Sequence, residues 1–259
     1  MPDGKLESPR VRHMDGAPVF WAYMDGPGRT FAGDVGDVAD LMGRTPAGVR
    51  GSGATWADGP HGDGLAFDGT SAAPANFAAS LTLPGGSFTL SVWVDRSNAG
   101  TIFETNSAQT GFTVVDFGGF ATSGHLSLYQ SNWRSFGSIP SGRLCHVAVS
   151  LDGVSGVATA YLDGSPIGSL TSCQPVPTMT GLRIGAQLGG WGPLQGRIGS
   201  IALFGRVLSP AEIAREHADP DWRLRSRRSP AYFATPAGPS APIFRRIPGP
   251  GRTGSRRVG

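Results

Sequence analysis

Cysteine and charged residues are both scarce in this chain of 259 residues. Only 16% of the residues are Asp, Glu, Lys or Arg, and the two cysteines are Cys145 and Cys173. So few cysteines agree with synthesis in a reducing cytoplasm. The sequence leaves open whether the two thiols pair, because a disulfide needs Cα atoms within about 7 Å. Buried free thiols are the interpretation that we favour.

Long apolar runs are missing as well. No stretch approaches the ~20 apolar residues that span a bilayer, and the N-terminal sequence lacks the apolar core of a secretory signal peptide. We therefore expect a protein that is made in a cytoplasm and has no membrane segment. The five histidines are scattered without the spacing of a metal site or of a nucleophile–base pair.

Glycine and proline are abundant by contrast, with 40 and 21 residues. This composition fits many short strands joined by tight turns. Residues 29–63 are predicted to be a long loop, and Asp163-Gly164 a two-residue turn, because Asp-Gly readily takes positive φ at both positions. Apolar patterning predicts strands at residues 19–23, 65–67, 80–83, 88–94, 101–104, 112–117, 126–129, 147–151, 158–162, 182–185 and 198–204.

The closing stretch, residues 182–216, organises the rest of the chain. Its second strand has apolar side chains on both faces, with Ile201 on one and Phe204 on the other, as expected in the middle of a packed sheet. Ser209-Pro210-Ala211-Glu212 then combines an N-cap, a proline at the first helical position and a glutamate at the third. This pattern predicts a short helix over residues 209–217.

Several segments together match one family in the expected order. They are FDGTSAAPANF at residues 67–77, SFTLSVWV at 87–94, CHVAVSLDG and ATAYLDGSPIG within 145–168, and IGAQ and GRIGSIALFGRVLSPAEI near the end. Over residues 20–216 the set resembles the laminin G-like, concanavalin A-like jelly rolls. The resemblance implies an all-β, two-sheet antiparallel jelly-roll sandwich with one short C-terminal helix and extended termini. We predict an N-terminal arm at 1–17, this domain at 18–218 and a tail at 219–259.

Glycosidase activity is the first function that this fold suggests. A retaining glucanase of the fold carries Glu-x-Asp-x-Glu along one strand, which places its two catalytic carboxylates about 5 Å apart. The chain has no such motif, and of its four glutamates only Glu104 lies on a predicted sheet strand. The other three are Glu7, Glu212 and Glu216. We therefore predict that the protein is not an enzyme.

Calcium is the next candidate, since related modules often hold one Ca²⁺ between an early loop and the closing strands. Asp34, Asp37 and Asp68 would supply carboxylates here. Gly199, however, stands where the family often has an aspartate, and Asp68-Gly69 also reads as a turn. We expect no cofactor and keep calcium at these three aspartates as the alternative.

Two tryptophans in predicted loops are candidate glycan-binding residues. They are Trp133, between Asn132 and Arg134, and Trp191, in a glycine-rich segment. An amphipathic indole ring can stack on a sugar and still tolerate water. The alternative is that each ring covers the rim of the sandwich core, and we favour that alternative for Trp191 but not for Trp133.

The last 38 residues, 222–259, have a composition of their own, with nine arginines, six prolines, five glycines and no acidic residue. The preceding 221 residues carry 22 − 9 = 13 basic and 19 acidic side chains, a net charge of 13 − 19 = −6. DPDWRLRSRRSPAYFA also resembles the ending of many jelly-roll proteins encoded in phage structural gene clusters, although one inserted aspartate departs from that pattern. The predicted partner-anchoring residues are Trp222, Arg223, Arg225, Arg227, Arg228, Tyr232, Phe233, Phe244, Arg245 and Arg246.

Such a tail could bind phosphates and bases of nucleic acid, or it could tether the chain to an acidic protein surface. The acidic body argues against nucleic acid. We therefore predict a non-enzymatic virion structural protein of a tailed phage: capsid decoration, spike or fibre-associated. Its partners would be other capsid or tail subunits, in a symmetric homo-oligomer, and a host surface glycan. A cellular carbohydrate-binding or adhesion module is the alternative, and a glycosidase ranks third.

Overall fold

The fold is taken from a computed structural model that describes residues 18–23, 49–57, 64–71, 75–105, 113–116, 124–187 and 190–219. These residues all belong to one unit of the chain, Met1–Leu224. The predicted arm at 1–17 and all but the first residue of the predicted tail lie outside them. The domain boundaries and the anchoring residues therefore stay predictions.

Fifteen strands and one α-helix are present in the described residues. The strands are β1 Phe20–Tyr23, β2 Val49–Arg50, β3 Ala54–Ala57, β4 Gly64–Asp68, β5 Ala75–Thr82, β6 Phe88–Arg96, β7 Thr101–Thr105, β8 Thr113–Asp116, β9 His125–Gln130, β10 Asn132–Ser138, β11 Leu144–Asp152, β12 Val157–Leu162, β13 Ser165–Leu170, β14 Thr178–Ile184 and β15 Gln195–Phe204. The helix, α1, is Pro210–Ala218, and a short 3₁₀ turn occupies Pro84–Gly86.

The strands form two antiparallel sheets. The first has eight strands in the order β13-β12-β11-β6-β15-β4-β3, with β1 also paired to β15. The second has seven strands in the order β10-β9-β8-β7-β14-β5-β2. With one helix at the end of the strand series, this architecture confirms the predicted two-sheet jelly roll.

The strand β15 lies in the middle of the first sheet, as its two apolar faces predicted. It pairs with β6 along one side, and on the other with β4 near its start and β1 near its end. Ile201 and Leu203 join the large core between the sheets, whereas Ala202 and Phe204 face a second apolar cluster beneath α1. Fully burying such a side chain contributes about 1.5–3 kcal/mol, so this strand stabilises both layers.

The core between the sheets takes its side chains from both inner faces. Phe20 and Phe77 meet edge to face within it, with ring centroids 4.9 Å apart. Cys145 and Cys173 are both buried free thiols, as we favoured. Burial raises the pKa of the Cys145 thiol to about 11, so this cysteine stays protonated at neutral pH.

Helix α1 begins with the capping box that the sequence predicted. The backbone N–H of Glu212 donates to the Ser209 hydroxyl at 3.3 Å, and the Ser209 N–H donates to the Glu212 carboxylate at 2.8 Å. Arg206 donates two further hydrogen bonds to that carboxylate. Hydrogen bonds from Arg206 first, and then from Ser209, hold the pKa of Glu212 at about 2. Ile213 packs from the helix into the second cluster.

A polar cluster lies where α1 covers the first sheet. The ring of His217, on the helix, stacks on Trp93 of β6 with centroids 5.6 Å apart, and His146 of β11 lies 5.9 Å from His217. The Ser91 hydroxyl and Nε2 of His146 are 2.9 Å apart, while Nδ1 of this buried imidazole has no hydrogen-bond partner among the described residues. The Asp163 carboxylate accepts the backbone N–H of His146 at 3.0 Å.

Two predictions of local structure need correction. The predicted loop at 29–63 contains β2 and β3, and Trp133 lies on β10 and not in a loop. These strands are short or lie at sheet edges, and their apolar alternation is too weak to predict them. The turn at Asp163-Gly164 is confirmed, with φ of +48° and +80°. Helix α1, with nine residues, is too short to cross a membrane, and it is the only α-helix among the described residues.

Candidate functional site

Three loops meet at one end of the sandwich, and we call them the tryptophan rim. The rim consists of the described residues 69–71 after β4, 97–100 after β6, and 185–187 with 190–194 after β14. The Thr101 N–H donates to the Gly192 carbonyl at 2.8 Å, which joins the second loop to the third. A Cβ on Gly190 would collide with Ser71, which places the first loop against the third.

Trp191 projects from this rim with 67% of its surface exposed. Its backbone is nevertheless tied down: the Gln187 N–H donates to the Trp191 carbonyl at 2.9 Å, and the Gly190 N–H donates to the Gln187 carbonyl at 2.9 Å. Gly190 has φ of +76°, a left-handed conformation that side chains other than glycine rarely adopt. The interpretation of Trp191 as a cover for the core rim is therefore wrong, because the ring faces solvent.

Polar groups that the sequence did not single out lie beside Trp191. The Gln187 side-chain amide donates from Nε2 to the Thr101 hydroxyl at 3.1 Å, which leaves its carbonyl oxygen as an acceptor. Ser71 is exposed next to Gly190. Only the packing of the three loops brings these residues together, so no spacing in the sequence could have shown it.

Asp68 stands at the border of the rim, at the end of β4. Its Oδ1 accepts the Thr70 hydroxyl at 2.7 Å and the Thr70 N–H at 2.8 Å. The Thr70 hydroxyl first, and then the Thr70 N–H, lower the pKa of Asp68 below its ordinary value. This exposed carboxylate is therefore ionised at neutral pH.

The second candidate tryptophan, Trp133, is half-buried on the edge strand β10. It lies directly opposite Tyr129 of β9, and the two rings are tilted with centroids 5.1 Å apart. Tyr129 was not predicted as a site residue, although its position across the turn at Ser131 follows from the hairpin register. The order β10-β9-β8-β7-β14 separates this aromatic pair from the loop that carries Trp191.

The neighbours of Trp133 in sequence do not act as one group with it. Asn132 is exposed at the start of β10. Arg134 donates to the Thr171 carbonyl at 2.6 Å and to Sγ of Cys173 at 3.0 Å. The Arg134 guanidinium therefore binds the segment before β14. Arg134 and Trp133 point in opposite directions, because alternate residues of a strand face opposite ways.

A row of register partners extends from Trp133 across the second sheet. Tyr129 is followed by Val114, Glu104, Arg183 and Asn76, each paired with the next. Glu104 and Arg183 are directly opposed and therefore share a face, and this face is the outer one, since Leu182 and Ile184, either side of Arg183, are core residues. Glu104 is fully buried there, and Nη1 of Arg183 lies 3.3 Å from its Oε1.

The predicted calcium ligands are only partly within the described residues, since Asp34 and Asp37 lie outside them. Oδ1 of Asp68 accepts the Thr70 hydroxyl. The same oxygen would lie 2.6 Å from a Cβ on Gly53. Within the described parts of the chain, no group of three or more His, Cys, Asp or Glu side chains could hold a metal ion. The calcium alternative stays a prediction.

Comparisons with solved structures bear on the fold alone. Domain 4 of an extracellular arabinanase from Geobacillus stearothermophilus, in complex with arabinotriose, matches with a TM-score of 0.55 and 19% identity, over 77% of this chain and 98% of that one. The botulinum neurotoxin type G receptor binding domain matches with a TM-score of 0.56 and 14% identity, over 78% of this chain and 51% of that one. Trypanosoma rangeli sialidase matches with a TM-score of 0.55 and 15% identity, over 82% of this chain and 34% of that one.

This chain therefore spans about half of the neurotoxin domain and a third of the sialidase. No curated protein matches it. A family model described as the concanavalin A-like lectin/glucanases superfamily matches residues 67–214. That match covers more than half of the sequence and runs from the end of β4 into α1, so the chain belongs to the concanavalin A-like lectin/glucanases superfamily.

Proposed function

We propose that this protein is a non-enzymatic glycan-binding component of a tailed-phage virion. The single observation that carries the glycan-binding part is Trp191, an exposed indole ring whose backbone carbonyl accepts the Gln187 N–H while Gly190 donates to the Gln187 carbonyl. A loop fixed before binding loses less conformational entropy when a ligand docks. The arabinotriose complex of the arabinanase domain, a module of the same fold, is in keeping with this proposal.

The non-enzymatic part rests on Glu104. A glycosidase of the two-carboxylate type needs both carboxyl groups facing the sugar. Glu104, the glutamate on a described strand, is fully buried and paired with Arg183, so its carboxylate is committed to that ion pair. This arrangement suits a structural role in the sheet better than proton transfer to a sugar.

The virion setting rests on the sequence of the tail, residues 222–259, which lies outside the described residues. Nine arginines without an acid, joined to prolines and spaced aromatics, suit docking onto an acidic neighbouring subunit. Capsid decoration, spike and fibre-associated roles all fit such a tether, and a symmetric homo-oligomer is the usual form. If the gene lies away from virion genes, the cellular binding module becomes the better proposal.

Glycan binding is tested on an array of immobilised oligosaccharides with the wild type, Trp191→Ala and Trp133→Ala. We expect Trp191→Ala to abolish retention while its melting temperature stays close to that of the wild type, because the ring buries little surface. Equal retention by Trp191→Ala and the wild type would refute the assignment of the site.

Anchoring is tested by truncation after Asp221. The shortened protein should stay folded and soluble but fail to join particles assembled from the other virion proteins. The affinity of the full-length protein for its partner should fall only modestly with salt, since apolar anchors contribute part of the binding free energy. A nucleic-acid tail would instead lose affinity by about a thousandfold or more between roughly 50 and 200 mM salt if six phosphates were neutralised.

A further inference from the structure

The three loops of the tryptophan rim contain no charged residue. Their described sequences are GTS after β4, SNAG after β6, and GAQ and GWGPL after β14. Loops at the surface of a protein usually carry Asp, Glu, Lys or Arg, because charged residues are mostly exposed. The rim residues are glycine, small polar residues, proline and apolar residues, so they offer no ion-pair partner to a charged ligand.

The groups that surround Trp191 are suited to hydroxyls. Gln187 lies in the same tight turn as Trp191 and directs only its Nε2 to a protein acceptor, the Thr101 hydroxyl. Its carbonyl oxygen can accept a hydrogen bond from a ligand, and the exposed Ser71 hydroxyl can donate or accept one. An indole face with acceptors and hydroxyls nearby matches a sugar ring, which has apolar C–H faces and hydroxyls around its edge.

Anionic ligands find no matching group on this rim. Carboxylates, sulfates and phosphates are recognised in proteins by arginine and lysine, through charge-assisted hydrogen bonds. Two charged side chains border the rim in the described structure. Arg96, at the end of β6, is 7% exposed and donates to the backbone carbonyls of Asn98, Gly124 and Ile139, so a ligand does not reach its guanidinium. Asp68 is exposed and ionised, with Oδ1 bonded to Thr70 and Oδ2 without a protein donor among the described residues. Its negative charge repels an anion, whereas Oδ2 can accept a hydroxyl of a neutral sugar.

We infer that the tryptophan rim selects neutral glycans and rejects sialylated, uronic or sulfated ones. This inference rests on the proposed glycan-binding function and adds the chemical class of its ligand. Trp191 supplies the stacking face, Gln187 and Ser71 supply the hydrogen bonds, and Asp68 supplies the charge that excludes anions. Binding is then nearly independent of ionic strength, because no ion pair forms between protein and ligand.

The test compares two sets of soluble probes by isothermal titration with the full-length protein. The neutral set is arabinotriose, maltotriose and lactose, and the anionic set is sialyllactose, digalacturonic acid and a sulfated heparin disaccharide. Three proteins are titrated: the wild type, Trp191→Ala and Val154→Ala. Val154 is the matched control, since it is an apolar residue that is 87% exposed in the turn after β11. It lies at the other end of the first sheet from the rim: Leu151, near this turn, pairs with Phe88 at the start of β6, whereas the rim follows the end of β6.

We expect a neutral probe to bind the wild type and Val154→Ala alike, and Trp191→Ala to weaken it by about tenfold or more, the equivalent of ~1.4 kcal/mol. Its dissociation constant should change less than about twofold between roughly 50 and 500 mM NaCl, since screening acts on charges. Binding of an anionic probe that Trp191→Ala removes would overturn the neutral class while leaving the glycan-binding function in place. Binding that Trp191→Ala leaves unchanged, or no binding of either set, would overturn both.

An Asp68→Asn variant separates the charge from the stacking. Removing the carboxylate should leave the effect of Trp191→Ala intact and raise the affinity for sialyllactose relative to the wild type. Because Asn can still accept the hydrogen bonds from Thr70, the turn is preserved. An unchanged preference between lactose and sialyllactose in this variant would refute the role given to Asp68.

Discussion

Protonation of His146 should make the fold sensitive to mild acid. This imidazole is completely buried beneath α1, and burial lowers its pKa to about 3, with the neighbouring His217 adding to the effect and Asp163 opposing it. In the unfolded chain its pKa is 6.5. Below pH 6.5 the unfolded state therefore binds a proton at His146 that the folded state does not bind, and the free energy of unfolding falls as the pH falls.

The size of the effect follows from the two pKa values. Each pH unit below the unfolded pKa costs about 1.4 kcal/mol until the folded pKa is reached. Between pH 7 and pH 5 the loss from His146 is therefore about 2 kcal/mol, which for a domain of this size lowers the melting temperature by about 4–8 °C. The carboxylates with lowered pKa values add their losses only below their ordinary pKa values, 3.8 for Asp68, Asp152 and Asp163 and 4.5 for Glu212.

The assay is urea or thermal unfolding at pH 7, 6 and 5 of the wild type and His146→Gln. Glutamine keeps a polar partner for Ser91 but does not titrate. From pH 7 to pH 5 the variant should therefore lose about 2 kcal/mol less unfolding free energy than the wild type. The comparison uses the slope, so an overall loss of stability in the variant does not obscure it. Parallel slopes in the two proteins, or an NMR titration of the His146 ring with a midpoint near 6.5, would refute the reasoning.

Three further substitutions test the local structure. Ser209→Ala removes the N-cap of α1 and should lower the unfolding free energy by about 1 kcal/mol, measured by urea unfolding; no loss would contradict the capping box. Gly164→Ala forces a side chain into φ of +80° with its Cβ 3.2 Å from Ala214, and a loss of about 1 kcal/mol or more is expected, whereas a gain would contradict the turn. Trp133→Ala should lower the melting temperature more than Trp191→Ala does, because Trp133 packs on Tyr129; equal melting temperatures would argue that the pair contributes nothing to packing.

The core of the fold could be predicted because its signals are local and strong. The strand β15 is apolar on both faces, the Ser209 capping box precedes α1, and Asp163-Gly164 has the chemistry of a two-residue turn. Each of these follows from side-chain pattern or backbone preference within a few residues. The short strands β2 and β3 and the edge strand β10 could not be predicted, because backbone pairing defines them and apolar alternation does not.

The candidate site was harder to predict, since it depends on distances between loops. The sequence singled out Trp191 because it lies in a glycine-rich segment, but the favoured interpretation was a ring that covers the core. Only the folded structure, in which Trp191 is 67% exposed, shows that the ring points to solvent. The sequence grouped Arg134 with Trp133, whereas alternate residues of β10 face opposite ways. The sequence assigned Gln187 no role in the site. Its backbone hydrogen bond to the Trp191 carbonyl places it in the same turn as Trp191.

The two tryptophans differ in what they can offer a ligand. Trp133 has part of its ring against Tyr129, so a sugar that stacked on it would compete with an existing aromatic contact. Trp191 has no such competitor among the described residues, and hydrogen bonds to Gln187 and Thr101 hold its loop in place before any ligand arrives. Stacking on Trp191 therefore costs little in ordering and displaces mainly water. A glycan should for this reason bind first at the rim, and Trp133 should matter to binding only if the ligand is long enough to reach the second sheet.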